Sequence, residues 1–187
     1  MTVEGIVLAA GFSSRMGSFK PAMMLGEKSV VERAIDSLSP ICTKVFVVGG
    51  HRIEELRAAV GDRIDAEILF NRDFEKGMFT SVKTGARAVS AERALILPCD
   101  IPTVKVQTCR EILEIEADIV VPKYRGRKGH PVALSKKIIP DLLGRPDDFN
   151  LRDFIREIGL ETVEVDDEGI LLDMDVWEDF EILKRKI

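Results

Sequence analysis

The sequence predicts an α/β fold: a three-layer α/β/α sandwich around a mostly parallel, Rossmann-like sheet, in one domain spanning residues 1–187. Three observations carry this. Short runs rich in β-branched residues alternate along the chain with longer stretches of helical periodicity. The early runs are nearly continuous in apolar residues, as strands covered on both faces must be. Strand–helix–strand alternation then requires right-handed crossovers, which lay helices on both faces of the sheet.

The elements follow in order. A strand over residues 5–9 (GIVLA) leads through a polar loop to a helix over 29–38, a strand over 44–48 (KVFVV) and a helix over 53–60. Next come a strand over 66–70 (AEILF), a helix over 79–89, a strand over 94–97 (ALIL) and a helix over 105–115. Two strands, 118–121 (DIVV) and 131–134 (PVAL), then succeed one another with no helix between them. A small antiparallel hairpin or edge is expected there. A helix over 151–158, a strand over 161–165 (ETVEV) and a helix over 176–184 complete the chain.

The composition bounds the function. With 187 residues, 45% apolar and 32% charged, the chain can bury one sizeable core and is short for two ordinary domains. The net charge of -5 is made of interspersed residues, so no broad basic face collects a nucleic-acid backbone. Cys42, Cys99 and Cys109 are odd in number and lack CxxC spacing, which excludes a disulfide framework and a zinc site and suits a reducing cytosol. No basic segment precedes the short apolar run at residues 6–10, and no stretch approaches the roughly 18 apolar residues of a membrane span. A cytoplasmic protein without nucleic-acid or membrane partners is expected.

The stretch IVLAAGFSSRMGSFKPAMML, residues 6–25, holds the chemistry of the N-terminal region. In a parallel sheet the loop after the first strand is the usual phosphate holder. Ala9, Ala10 and Gly11 let backbone N–H groups approach an anion, and Ser13 and Ser14 add donors. Arg15 offers a planar fork, Lys20 a mobile point charge, and together they suit a triphosphate. Gly11 and Gly17 are six apart with none between, so this is not a dinucleotide loop; Lys20 precedes Pro21, so it is not a Walker A loop. A plain turn with solvated Arg15 and Lys20 is the competing reading.

Asp100 follows the strand at 94–97 and is fenced by Pro98 and Pro102. Its carboxylate suits a hard divalent cation bridging phosphates, although an Asp after a strand also serves as a turn or helix cap. Asp173 and Asp175 alternate, so an extended segment would point both at one site, whereas Asp175 with Glu178 also reads as an N-cap. Cys99 reads as a small buried residue rather than a nucleophile. Gly49, Gly50 and His51 follow the second strand, where a base could also lie, and His51 itself reads as a surface-loop residue. Gly77 before a helix and Ser81 one turn in would bring donors near a ribose or base.

LAAGFSSRMG with Lys20, NRDFEKGMFTSVKTGARAV from Asn71, LPCDIP from Leu97, KGHPVAL from Lys128 and LLDMDVWEDF from Leu171 together resemble the MobA-like nucleotidyltransferases. These are related to the molybdenum cofactor cytidylyl- and guanylyltransferases, and the resemblance runs along essentially the whole chain. It implies a nucleotide site made by Leu8, Ala9, Ala10, Gly11, Ser13, Ser14, Arg15, Lys20, Asn71, Ser81 and Asp100. Arg15, Lys20 and Asp100 would serve catalysis, Asp100 and Asp175 would hold Mg²⁺, and His130 and Arg152 would meet the acceptor. The family's T-P is replaced by Val176-Trp177.

The reaction so implied moves a nucleoside monophosphate from a triphosphate to a phosphorylated acceptor of molybdopterin type, releasing pyrophosphate. A phosphate acceptor arrives ionised and needs no general base, which agrees with a chain whose only histidines are His51 and His130. Arg125, Arg127 and Lys128 form a local basic cluster where an acidic acceptor could dock, or a solvated face. LAAG and GHPV resemble the cytidylyl branch and PCDIP the guanylyl branch, so CTP is the expected donor and GTP the alternative. A sugar- or alcohol-phosphate nucleotidyltransferase and a non-catalytic nucleotide-binding module are the other readings.

Overall fold

The computed structural model describes residues 1–12 and 17–187. Strand β1 (Val3–Leu8) is followed by a short antiparallel pair, β2 (Met24–Leu25) and β3 (Lys28–Ser29), and by helix α1 (Val30–Leu38). Then come β4 (Lys44–Gly49), α2 (Ile53–Val60), β5 (Ala66–Phe70), α3 (Met78–Ala88), β6 (Arg93–Pro98) and α4 (Val106–Leu113). The C-terminal part adds β7 (Ile119–Tyr124), β8 (Arg127–Lys128), β9 (Val132–Ser135), α5 (Ile139–Gly144), α6 (Leu151–Ile158), β10 (Glu161–Glu164) and α7 (Trp177–Lys184). No described helix is long and apolar enough to cross a membrane.

The main sheet has the order β10-β7-β9-β6-β1-β4-β5, with β8 paired to β7. β1 pairs in parallel with β4 and β6, β4 with β5, and β10 with β7. The helix-less step gives the antiparallel part. Arg125 (φ 49) and Gly126 (φ 80) both take positive φ, the geometry of a two-residue hairpin turn whose twist matches its strands. β9 then inserts between β6 and β7, antiparallel to both. The antiparallel strand therefore lies inside the sheet, and both edges belong to parallel strands.

Successive residues of β1 and β6 face opposite sides, and each side is covered. Val7, Leu95 and Leu97 pack with Val31, Ile35 and Leu38 of α1 and with Leu56 of α2. Ile6, Leu8 and Ile96 pack with Val82 of α3, Leu142 of α5 and Phe154 of α6 on the other face. Strand order reverses at β1, whose carboxyl end meets that of β6. This is the switch point at which ligands of open α/β sheets bind.

One brace holds the chain's last third to this frame. Asp167, 2% exposed, accepts from Lys105 N (2.8 Å), Thr108 Oγ1 (2.7 Å) and Gly169 N (3.0 Å), and so fixes the start of α4. Asp167→Ala leaves these donors buried and unmet, and a stability loss of about 2 kcal/mol is expected in urea unfolding. An unchanged midpoint would show that water replaces the carboxylate.

Candidate active site

A cleft of ≈ 620 Å³ opens over the carboxyl ends of β1 and β6. The segment after β1 is stitched to its neighbours: Ala9 N donates to Val48 O (2.8 Å), Cys99 N to Leu8 O (3.0 Å) and His51 N to Ala10 O (3.4 Å). Ala9 and Ala10 are buried, so only small residues fit between these loops. The cleft gathers Leu8, Ala9, Ala10, Gly11, Lys20, Ser81, Asp100, His130, Arg152, Asp173 and Asp175. Ser13, Ser14 and Arg15 lie outside the described residues. Among the described candidates Asn71 alone does not line it.

Lys20 begins a single helical turn with Pro21 next, and its Nζ donates to Asp175 Oδ1 at 2.9 Å. Asp100 sits beside them. Burial pushes the Asp100 carboxyl above its ordinary value, the neighbouring Asp175 and Asp173 charges add to this, and Lys20 opposes it. Met174 N donates to Asp100 O at 2.9 Å, tying the C-terminal segment to the end of β6. Met174 is wholly buried, so its flanking carboxylates turn to the cleft. Val176, not Asp175, is the N-cap of α7, and the Asp179 carboxylate accepts from Asp175 N (3.0 Å) and Val176 N (2.9 Å). The Asp175 side chain is therefore spared for the cleft.

The donor set fits a hard divalent cation. A largely buried carboxylate with two further carboxylates beside it is what such a cation neutralises. Among the described residues no three His, Cys, Asp or Glu side chains form a ready-made cage. Asp100 and Asp175 are the two side chains that would hold such a cation, which would supply charge neutralisation there.

Asn71 is 2% exposed and its amide is already engaged: Nδ2 donates to Thr80 Oγ1 (2.8 Å) and Ser81 Oγ (2.9 Å), and Oδ1 accepts from Asp73 N (3.0 Å). It pins the start of α3, and through it Ser81, at the cleft wall. Cys99 is buried, which drives its thiol far above its ordinary pKa and leaves no nucleophile.

A second, larger cleft of ≈ 1260 Å³ lies alongside and shares Leu8, Gly77, Met78, Pro98, His130 and Arg152 with the first. Its floor is apolar, from Phe79, Val82, Ile96, Val121 and Val132, and its rim carries Lys76, Lys128, Arg152 and Arg156 together with Asp148 and Asp153, the last paired with Arg156 at 2.7 Å. Of the basic cluster only Lys128 lines it; the exposed Arg125 lies over the Tyr124 ring at 5.1 Å. Sequence reading missed Arg156. Its signal was present, since Arg152 and Arg156 are four apart on α6 and share a face. Phe12 and Phe74, which also line the first cleft, carried no sequence signal of their own.

His130 stands where the two clefts meet. Its backbone N donates to Ile170 O (3.1 Å), and its Nδ1 is buried with no partner among the described protein atoms. Burial pushes the imidazole pKa down to about 4, so it is neutral at ordinary pH. A folded-state value below that of the open chain favours folding fully above pH ~6.5, and this contribution is lost as pH falls through about 4. His130→Gln is expected to flatten the wild-type loss of stability between pH 7 and 4 by up to about 3 kcal/mol. Parallel stability curves for the two proteins would refute it.

Comparison with known proteins gives the family and the fold. Residues 5–163 match the model of the MobA-like NTP transferase domain. The chain is 29% identical over 185 residues to the molybdenum cofactor cytidylyltransferase of Escherichia coli (strain K12), covering 98% of this chain and 96% of that one. It is 26% identical over 132 residues to a probable molybdenum cofactor guanylyltransferase of Bacillus cytotoxicus, covering 68% and 65%. Among solved structures, a nucleotidyl transferase from Methanothermobacter thermautotroptrophicus superposes with a TM-score of 0.87 at 23% identity, over 99% of this chain and 97% of that one.

Proposed function

Because this chain belongs to the MobA-like NTP transferase family and is a nucleotidyltransferase, we propose that it moves CMP from CTP to the phosphate of a molybdopterin-type acceptor, residues 1–187 acting as one domain. The observation that carries this reading is the meeting of Lys20, Asp100 and Asp175 in one cleft that opens, at His130 and Arg152, into a second whose rim offers Lys76, Lys128 and Arg152 among mixed charges.

The triphosphate lies along the first cleft with its phosphates toward Lys20 and the loop that bears Arg15. An acceptor phosphate oxygen forms the new bond to the α-phosphorus, the bond from that phosphorus to the bridging oxygen breaks, and pyrophosphate leaves. Lys20 and Arg15 offset the charge that gathers on the leaving oxygens. Mg²⁺ held by Asp100 and Asp175 would supply charge neutralisation between the phosphates. Arg152 and His130 hold the acceptor at the junction, His130 as a neutral hydrogen-bonding group. Catalysis is positioning and electrostatics, and no general base is required.

CTP is favoured by the LAAG and GHPV elements and by the near full-length likeness to a cytidylyltransferase, against a shorter likeness to a guanylyltransferase. The test is pyrophosphate release with Mg²⁺ and each of CTP, GTP, ATP and UTP, with and without molybdopterin. Release with CTP only when molybdopterin is present supports the assignment, and a GTP preference moves the protein to the guanylyl reaction. Saturable nucleotide binding without release would mean a different phosphate acceptor or a binding module.

A further inference from the structure

Three aromatic rings stand at the carboxyl ends of β1, β4 and β5, beyond the charged part of the first cleft. The Phe12 centroid lies 5.2 Å from that of His51 and 5.5 Å from that of Phe74, and His51 and Phe74 are 6.4 Å apart. Phe12 and Phe74 line the cleft that contains Lys20 and Asp100, while His51 does not line it and buttresses the two phenyl rings. Phe12 is 50% exposed. A ring half open to water does little for the core, and its open face suits a flat partner.

The backbone makes room for this arrangement. A Cβ at Gly50 would lie 2.4 Å from Phe74 Cβ and 2.6 Å from its Cγ, so Phe74 rests directly on the chain leaving β4 because position 50 has no side chain. The bond from His51 N to Ala10 O then ties that same chain to the loop bearing Phe12.

We propose that Phe12 and Phe74, whose rings are inclined at 51° to one another, form an angled shelf in which the base of the bound nucleoside triphosphate stacks on one ring and meets the other at its edge, and that this shelf gives affinity without choosing the base. The inference rests on the reading of this cleft as the nucleotide site. A phenyl face has no donor or acceptor, and every base has a π-face, so stacking accepts purines and pyrimidines alike. Preference between CTP and GTP must then come from groups that meet the base edge.

The test is calorimetric titration of wild type, Phe12→Ala, Phe74→Ala and Phe74→Tyr with CTP, GTP and inorganic triphosphate in excess Mg²⁺. Each alanine variant is expected to weaken CTP and GTP alike by about fivefold or more, with inorganic triphosphate unchanged and Phe74→Tyr close to wild type. Unchanged CTP and GTP affinity in both alanine variants overturns the shelf and leaves the nucleotide reading intact. Equal loss for inorganic triphosphate also overturns it, because the rings would then hold the loop rather than a base, and loss for one nucleotide only overturns the lack of choice. A wild-type protein that binds neither nucleotide sinks the underlying reading. Phe12 is far enough exposed for its removal to leave the core in place, so the test stands even where Phe74→Ala fails to fold.

Discussion

Asp100→Ala is expected to lower turnover by about 10³-fold while leaving part of the nucleotide affinity. The carboxylate lies at the end of β6, held between Lys20 and the acidic segment of Asp173 and Asp175, with its backbone carbonyl fixed by Met174. On the proposed reading its removal would take away one of the two carboxylates that would hold the cation, and the charge on the departing pyrophosphate would be poorly met. Lys20 and the first loop still grip phosphate, which keeps some binding. Asp100→Asn should sit closer to the alanine variant than to wild type, because it keeps an oxygen but loses the charge. The check pairs pyrophosphate release with nucleotide titration. Turnover within about tenfold of wild type would remove Asp100 from the chemistry.

Gly129→Ala carries the largest expected structural effect. A Cβ at this position would meet Ile170 O at 2.3 Å, Cγ1 at 2.7 Å and Cβ at 2.8 Å. The nearest of these is backbone, in the turn that leads to Asp173 and Asp175, so the clash cannot be relieved by a rotamer change. The hairpin and that turn must move apart, breaking the bond from His130 N to Ile170 O. A stability loss of about 3 kcal/mol is expected. In whatever fraction remains folded, the acceptor KM should rise more than the CTP KM. Thermal unfolding and steady-state kinetics check the two parts separately, and wild-type stability would show that the two segments tolerate separation.

The strands were legible because four to six apolar residues in a row, bounded by polar loops, leave few other readings for a buried parallel sheet. Helix α5 was not, since its six residues include Pro140 and complete too little periodicity to register. The place of β9 between β6 and β7 was hidden for a different reason: strand order is a property of long-range pairing, and residues 131–134 look the same inside a sheet or at its edge. At the site, the small residues after β1 and Asp100 after β6 were readable because strand ends in such a sheet converge. The role of Asp175 was not fixed, because Asp175 to Glu178 and Val176 to Asp179 have the same spacing, and one residue of register decides which carboxylate caps α7. Phe12 and Phe74 were silent. They come from separate loops, and only the tertiary fold brings their rings to 5.5 Å.

The contact between Lys20 and Asp175 joins positions 155 apart in the chain. During synthesis the first loop leaves the ribosome long before its partner exists, and even with most of the sheet assembled the cleft still lacks the carboxylate that pairs with Lys20. A chain truncated before Met174 should therefore yield an inert protein rather than a slow enzyme, however much of its core has formed. Such an arrangement makes the cleft's charge balance depend on two segments far apart in the chain, so a partial product that has the first and lacks the second has no assembled site.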